Sequence, residues 1–369
     1  MEAIVTAPDP HAQANSVMVQ LNRLSCGWSM KRLADEAGVS SSHVSRVEAG
    51  ILPLAGQALD DYAHALHCPA EALCVPFSRT PAEGTHFRAN ASAAEWKRDR
   101  VWARANLVAM RIGRLAERAD LDPALSLPQL DPTDYAAEGG EITVAQVLRR
   151  LWRISGPIAS ISKLIEAAGV FIVKEDFEDP DVDAVTLRAG THHPHVIYLN
   201  AARPADRMRM TLAHELGHLV MDAITLVSPT ETERRATSFA SEFLAPIDDI
   251  GFDLDRVSIR TVHELDELRL RWGVSEASLV VRAHQRNVLS DYQYRSMFRL
   301  LNETGRMYGP RLGVATEEPT LTRHLLEQLS AGGYSDAELD DITLLSAPQR
   351  ADLFDIPSNG AAHRHLSMV

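Results

Sequence analysis

His214, Glu215 and His218 stand in an HExxH spacing within Thr211–Val220. An α-helix completes a turn in about 3.6 residues, so side chains four apart stack on one face. Two imidazoles can then reach one metal ion, and the adjoining Glu215 carboxylate can draw a proton from water held there. Met210, Leu212, Ala213, Leu216, Leu219 and Val220 give that helix apolar cover. The same spacing also describes an ordinary helix with surface histidines, so neighbouring segments must supply the rest of a site.

A catalytic zinc takes three protein ligands and leaves its fourth position to water. A second helix follows over 231–246, in which Glu233, Ala236, Thr237, Ala240, Phe243 and Leu244 share one face. A carboxylate on an otherwise apolar inner face requires a partner, and a metal ion would be one. Glu231 competes with Glu233, although its place near the helix start suits the helix dipole alone. Upstream, the pattern predicts helices over 143–153 and 158–168, strands at 170–173, 184–187 and 195–199, and the HExxH helix over 206–223.

His214-Glu-Leu-Gly-His218, the Glu233-x-x-Ala236 step, the Phe239-Ala-x-x-Phe243-Leu-x-Pro246 ending, Val196–Asn200 and Arg207-x-Arg209 together resemble the ImmA/IrrE metallopeptidase family. The resemblance implies a zincin-like α+β domain and assigns Zn2+ to His214, His218 and Glu233, with Glu215 as the base. Where that family usually has Asn or Asp, this chain has Thr237, one turn after Glu233. Its hydroxyl is a weaker partner for a zinc-binding histidine. Arg207 and Arg209 are candidates for stabilising an oxyanion. His263-Glu-Leu-Asp-Glu267 begins like the motif but ends in Glu267, and reads as a surface helix. His192, His193 and His195 around Pro194 read as a solvated loop before a strand.

Near the N-terminus, Ser29 reads as the cap of a short helix over 30–37, and Gly38-Val39-Ser40 as the turn into a second over 41–49. Leu33-Ala34-x-x-x-Gly38-Val39-Ser40-x-x-x-Val44-Ser45-x-x-Glu48-x-Gly50 resembles the XRE/Cro-type DNA-binding domain over about residues 16–75. That family usually opens the first motif helix with a phosphate-touching Gln; Met30 stands here, beside Lys31. The resemblance implies a recognition helix whose outward residues Ser41, Ser42, His43, Ser45 and Arg46, with Lys31, meet a double-stranded operator. A two-fold operator would be read by a homodimer.

The stretch 77–122 reads as helical and, over 86–118, carries eight cations against three anions in a chain of net charge −13. It suits either a helix that lies near DNA phosphates or joins a dimer, or a solvated helical linker. The Pro-rich stretch 120–140 is the best domain boundary. Beyond the metal region, Thr261 reads as a helix cap, Gly273-Val274-Ser275 as a turn between helices, and 291–304, 321–329 and 335–345 as further helices.

The totals bound the function. The acidic balance excludes a polycationic nucleic-acid coat but not a local DNA-binding face. Cys26, Cys68 and Cys74 lack metal-type spacing, and no signal peptide or apolar run of about 20 residues is present, so a reduced, cytoplasmic protein with no membrane partner is expected. The expected organisation is a lead-in over 1–15, a helix-turn-helix domain over 16–76, a helical and then Pro-rich linker over 77–141, a metallopeptidase-like domain over 142–255 and C-terminal helices over 256–369. The fold class is α+β, mostly helical. The resemblances imply a DNA-binding transcriptional regulator that cleaves a protein regulator such as a repressor. The alternative is a non-proteolytic repressor or antitoxin that uses its zinc domain as sensor or scaffold.

Overall fold

The computed structural model describes residues 13–81, 86–89, 94–222, 228–307 and 313–354; residues 1–12 of the lead-in, Ala223 and the last dozen residues lie outside these. The chain opens with α1 (Ser16–Ser25), α2 (Met30–Glu36), α3 (Ser41–Glu48), α4 (Gln57–Ala65) and α5 (Ala70–Cys74). Ser29 and Ser40 accept from Arg32 N and His43 N, so both motif helices begin on hydroxyl caps. Gly38 has φ +68°, the left-handed conformation that the turn between them requires. Val19, Leu33, Val44, Val47, Leu59 and Tyr62 form the core of this unit. Buried Arg23 clamps it with a two-pronged pair to Glu48, Nε to Oε1 at 2.6 Å and Nη2 to Oε2 at 2.8 Å.

The next elements are β1 (His86–Ala89), α6 (Glu95–Ala116), α7 (Glu141–Leu151), α8 (Ile161–Ala167), β2 (Phe171–Glu175), β3 (Val182–Leu187) and β4 (Val196–Asn200). The HExxH helix α9 (Ala205–Met221) and its neighbour α10 (Pro229–Leu244) follow, then α11 (Ile247–Leu254). The sheet has four strands in the order β1-β3-β4-β2, not the three expected. β2 and β4 are parallel, while β3 runs antiparallel to both β1 and β4. The additional strand comes from the stretch read as helical. Four residues are too few for a period-2 pattern to stand out, and the strand exists because β3 offers it an edge.

The linker expectation for 77–141 changes accordingly. One face of α6 joins Met18 and Leu21 of α1 through Trp102, Leu107 and Met110. The other face, with Val101, Val108, Ile112 and Leu115, packs on the sheet beside Val185 and Tyr198. Five of its six cations, all but exposed Arg98, are used internally. Arg104 pairs with Glu175 at 2.7 Å, Arg100 with Glu178 at 3.0 Å and Lys97 with Asp179 at 3.2 Å. Arg111 and Arg114 donate to the carbonyls of Thr343 and Ile342. α6 is thus neither a solvated span nor a bare basic face. The Pro-rich stretch is docked too: Leu130 N bonds to Val220 O, and Leu125 N to Ala167 O.

The C-terminal helices are α12 (Glu264–Trp272), α13 (Glu276–Gln285), α14 (Asp291–Glu303), α15 (Leu321–Ala331), α16 (Asp336–Thr343) and α17 (Ala347–Leu353). They divide between the two faces of the sheet. Leu265, Trp272, Leu279 and Leu301 join the core around α9 and α10, whereas Leu325, Leu329 and Ile342 join α6 on the opposite side. Thr261 does not cap a helix alone; it closes a reciprocal box with Ser258 in a 3-10 turn ahead of α12. No helix among the described residues is long and apolar enough to cross a membrane.

Candidate metal centre

α9 carries the HExxH residues through the middle of the molecule: His214, Glu215 and His218 are 2%, 0% and 1% exposed. α10 crosses it closely at Gly217, where an added Cβ would stand 2.9 Å from the Phe239 ring. This approach brings Glu233 over the histidines. Glu233 Oε2 lies 3.1 Å from His214 Nε2, Glu233 Oε1 3.3 Å from His218 Nε2, and the two Nε2 atoms 3.0 Å apart. Glu231 is turned away, bound by Arg234 and Arg235. Glu233 and Thr237 are not on the buried face with Ala236 and Phe243, as their spacing suggested. They stand at its exposed margin, which opens the cluster on one side.

Each histidine is oriented through Nδ1. His218 is held by Asp222, one turn further along α9, and His214 faces the Thr237 hydroxyl at 3.3 Å. Burial pushes His214 down to about 4. Burial also opposes charge on His218, but hydrogen bonds to Asp222 and Glu233 outweigh it and raise His218 to about 9. Glu233 pays for its partial burial yet is held well below the carboxylate range by the two histidines. Glu215 is raised by burial, against the charge of His218 and a 2.7 Å hydrogen bond from Thr186 Oγ1 on β3.

The residues fit a single metal ion. Among the described residues, His214, His218 and Glu233 form a group whose ligand atoms lie within 4.8 Å of one another. Their separations of 3.0–3.3 Å match the edge, about 3.3 Å, of a tetrahedron with bonds of roughly 2.0–2.1 Å. Glu215, next to His214 in the chain, has its Oε1 buried and without a hydrogen-bond partner. Both proposed oxyanion donors are committed elsewhere. Arg209 donates to Gly273 O and Ile158 O and pairs with Glu317, bracing α9 against the C-terminal helices. Arg207 holds Asp183 at 2.8 Å.

The other candidates separate cleanly. His263, at the N-cap of α12, and Glu267 within it are exposed. His193, expected in a solvated loop, is 6% exposed and lies 3.1 Å from Thr80 Oγ1, while His195 accepts from Ala189 N. On the N-terminal unit, Lys31, Ser41, Ser42, Ser45 and Arg46 are exposed, whereas His43 is half-buried and bonds the Tyr62 hydroxyl at 2.9 Å. Asp222 and Thr186 were missed in the sequence. Asp222 had a signal, four residues beyond His218; Thr186 had only its polarity within an apolar strand.

Two family models match this architecture: a helix-turn-helix over residues 19–73 and the M78 peptidase family's IrrE N-terminal-like domain over residues 165–284. The chain joins an XRE-type helix-turn-helix domain to an ImmA/IrrE-type domain. No curated protein matches it. The IrrE-type match begins within α8 and ends within α13, so it spans β2 to β4, α9 and α10 but neither β1 nor α6. The helix-turn-helix match begins within α1, covers α2 to α4 and includes most of α5.

Proposed function

We propose that the chain is a DNA-binding regulator whose ImmA/IrrE-type domain is a zinc peptidase acting on a protein substrate such as a repressor. The observation that carries this is one His2Glu donor cluster with a buried, half-unpartnered carboxylate beside it. His214, His218 and Glu233 would hold Zn2+, which when bound supplies Lewis acidity toward a carbonyl and lowers the pKa of water. Glu215, steadied by Thr186, takes a proton from the attacking water and returns it to the leaving amine. Asp222 and Thr237 keep the ring orientations that aim both Nε2 atoms inward. Lys31, Ser41, Ser42, His43, Ser45 and Arg46 would contact the operator.

Co-expression with proteins encoded beside it tests the reading. Wild type should yield a cleavage product that Glu215→Gln does not, with equal zinc in both purified chains. A product that persists in Glu215→Gln, or a wild-type chain that retains no zinc after zinc addition, overturns it. A non-proteolytic role for the zinc domain is favoured by one feature, the long 3.3 Å contact through which Thr237 holds His214. Reporter regulation that survives Glu215→Gln but is lost on Arg46→Ala with Ser42→Ala would select that reading.

A further inference from the structure

β1 reaches the metal helix from a segment outside the IrrE-type match. Its register sets His86 opposite Thr186 and Arg88 opposite Ala184. Directly opposed residues of an antiparallel pair project to the same face. Arg88 therefore shares a face with Ala184, which packs in the core with Leu212 and Leu216 of α9, and with Thr186, which holds Glu215. Its side chain is 22% exposed and lies 3.8 Å from Asp183, through Nε. Asp183 is already held by Arg203 and Arg207. Arg88 Nη1 is left buried without a hydrogen-bond partner, and so is Glu215 Oε1.

Buried polar atoms of this kind are costly unless something binds beside them. They do not satisfy each other: one is a cationic donor and the other an anionic acceptor, yet they form no ion pair in this structure. Arg207 and Arg209, the other nearby cations on α9, are spent on Asp183 and Glu317.

We propose that Arg88 is the electrophilic residue of the site, its guanidinium donating to the carbonyl oxygen of the peptide bond to be cut. The proposal rests on the hydrolytic reading above. Water oxygen bonds to the carbonyl carbon, its proton passes to Glu215, and the π pair moves onto the carbonyl oxygen facing Arg88. The pair then re-forms the C=O bond, the C–N bond breaks, and the proton on Glu215 goes to the leaving nitrogen. A guanidinium suits this place because it stays charged and presents a fixed fork of donors. The segment that joins the DNA-binding domain to the peptidase domain would then supply part of the active site.

The test uses the full-length chain loaded with Co2+, whose visible absorption reports the ligand set. Inorganic phosphate, a tetrahedral anion, and imidazole, a neutral metal ligand, are titrated separately. Arg88→Ala and Arg88→Gln should bind phosphate at least about tenfold more weakly than wild type, the scale of losing a hydrogen bond between charged groups. Arg88→Lys should recover part of that loss, and imidazole affinity and the starting spectrum should not change. Equal phosphate affinity in wild type and Arg88→Gln, with the spectrum intact, overturns the role of Arg88 and leaves the metal site standing. A wild-type chain that takes up no cobalt overturns the site itself and the role of Arg88 with it.

Discussion

The two candidate functional helices are built in opposite ways. Of the candidate contact residues on α3, Ser41, Ser42, Ser45 and Arg46 are exposed, and only His43 is tied inward, by Tyr62. On α9, His214, Glu215 and His218 are all buried, and each is positioned by a residue from the same helix, the next helix or the sheet. A surface that reads another molecule keeps its donors and acceptors free, so the fold does not specify what it reads. A site that performs chemistry on a bound group must be held rigidly, so its partners reveal its design.

Metal affinity tests the α9 half of this contrast and has the largest expected effects. His214→Ala should reduce bound zinc to near zero by elemental analysis. Asp222→Asn should weaken zinc by about 10–100-fold in a chelator competition, and Thr237→Val by less, because its contact at 3.3 Å is the longer one. Equal losses from Asp222→Asn and Thr237→Val would remove the ranking. Next in size is Gly217→Ala, which pushes a methyl group against Phe239. It should destabilise the chain by about 1–3 kcal/mol in urea unfolding and loosen zinc through displacement of α10. Unchanged stability would mean that the α9–α10 approach is less tight than 2.9 Å implies.

The smallest stability effect belongs to α3. Arg46→Ala with Ser42→Ala should alter unfolding free energy by no more than about 0.5 kcal/mol, since neither side chain is packed. Affinity for DNA from the chain's own promoter region should still fall about tenfold, measured by fluorescence anisotropy. Comparable damage to stability would contradict the division between a free reading surface and a braced centre.

Much of this was legible in the residues because it is local. The caps Ser29 and Ser40, the left-handed Gly38, the i,i+4 histidines and the apolar side of α10 depend only on neighbours within a turn or two. Asp222 belongs with these, as a position four residues from His218. The cations of α6 mark the limit. As a string of cations they resemble a nucleic-acid face, but their partners Glu175, Glu178 and Asp179 lie more than 70 positions away.

The sequence alone determined the helical pairing of His214 with His218, the adjoining Glu215, and the turn that sets α3 beside α2, because helix geometry repeats over a few residues. Tertiary structure decided between Glu233 and Glu231, through the helix crossing at Gly217. It also made a strand of 86–89 and aimed Arg88 and Thr186 toward Glu215's face. Those choices depend on strand register and on which faces are buried together. Both are set by contacts between residues far apart in the chain, which no local periodicity records.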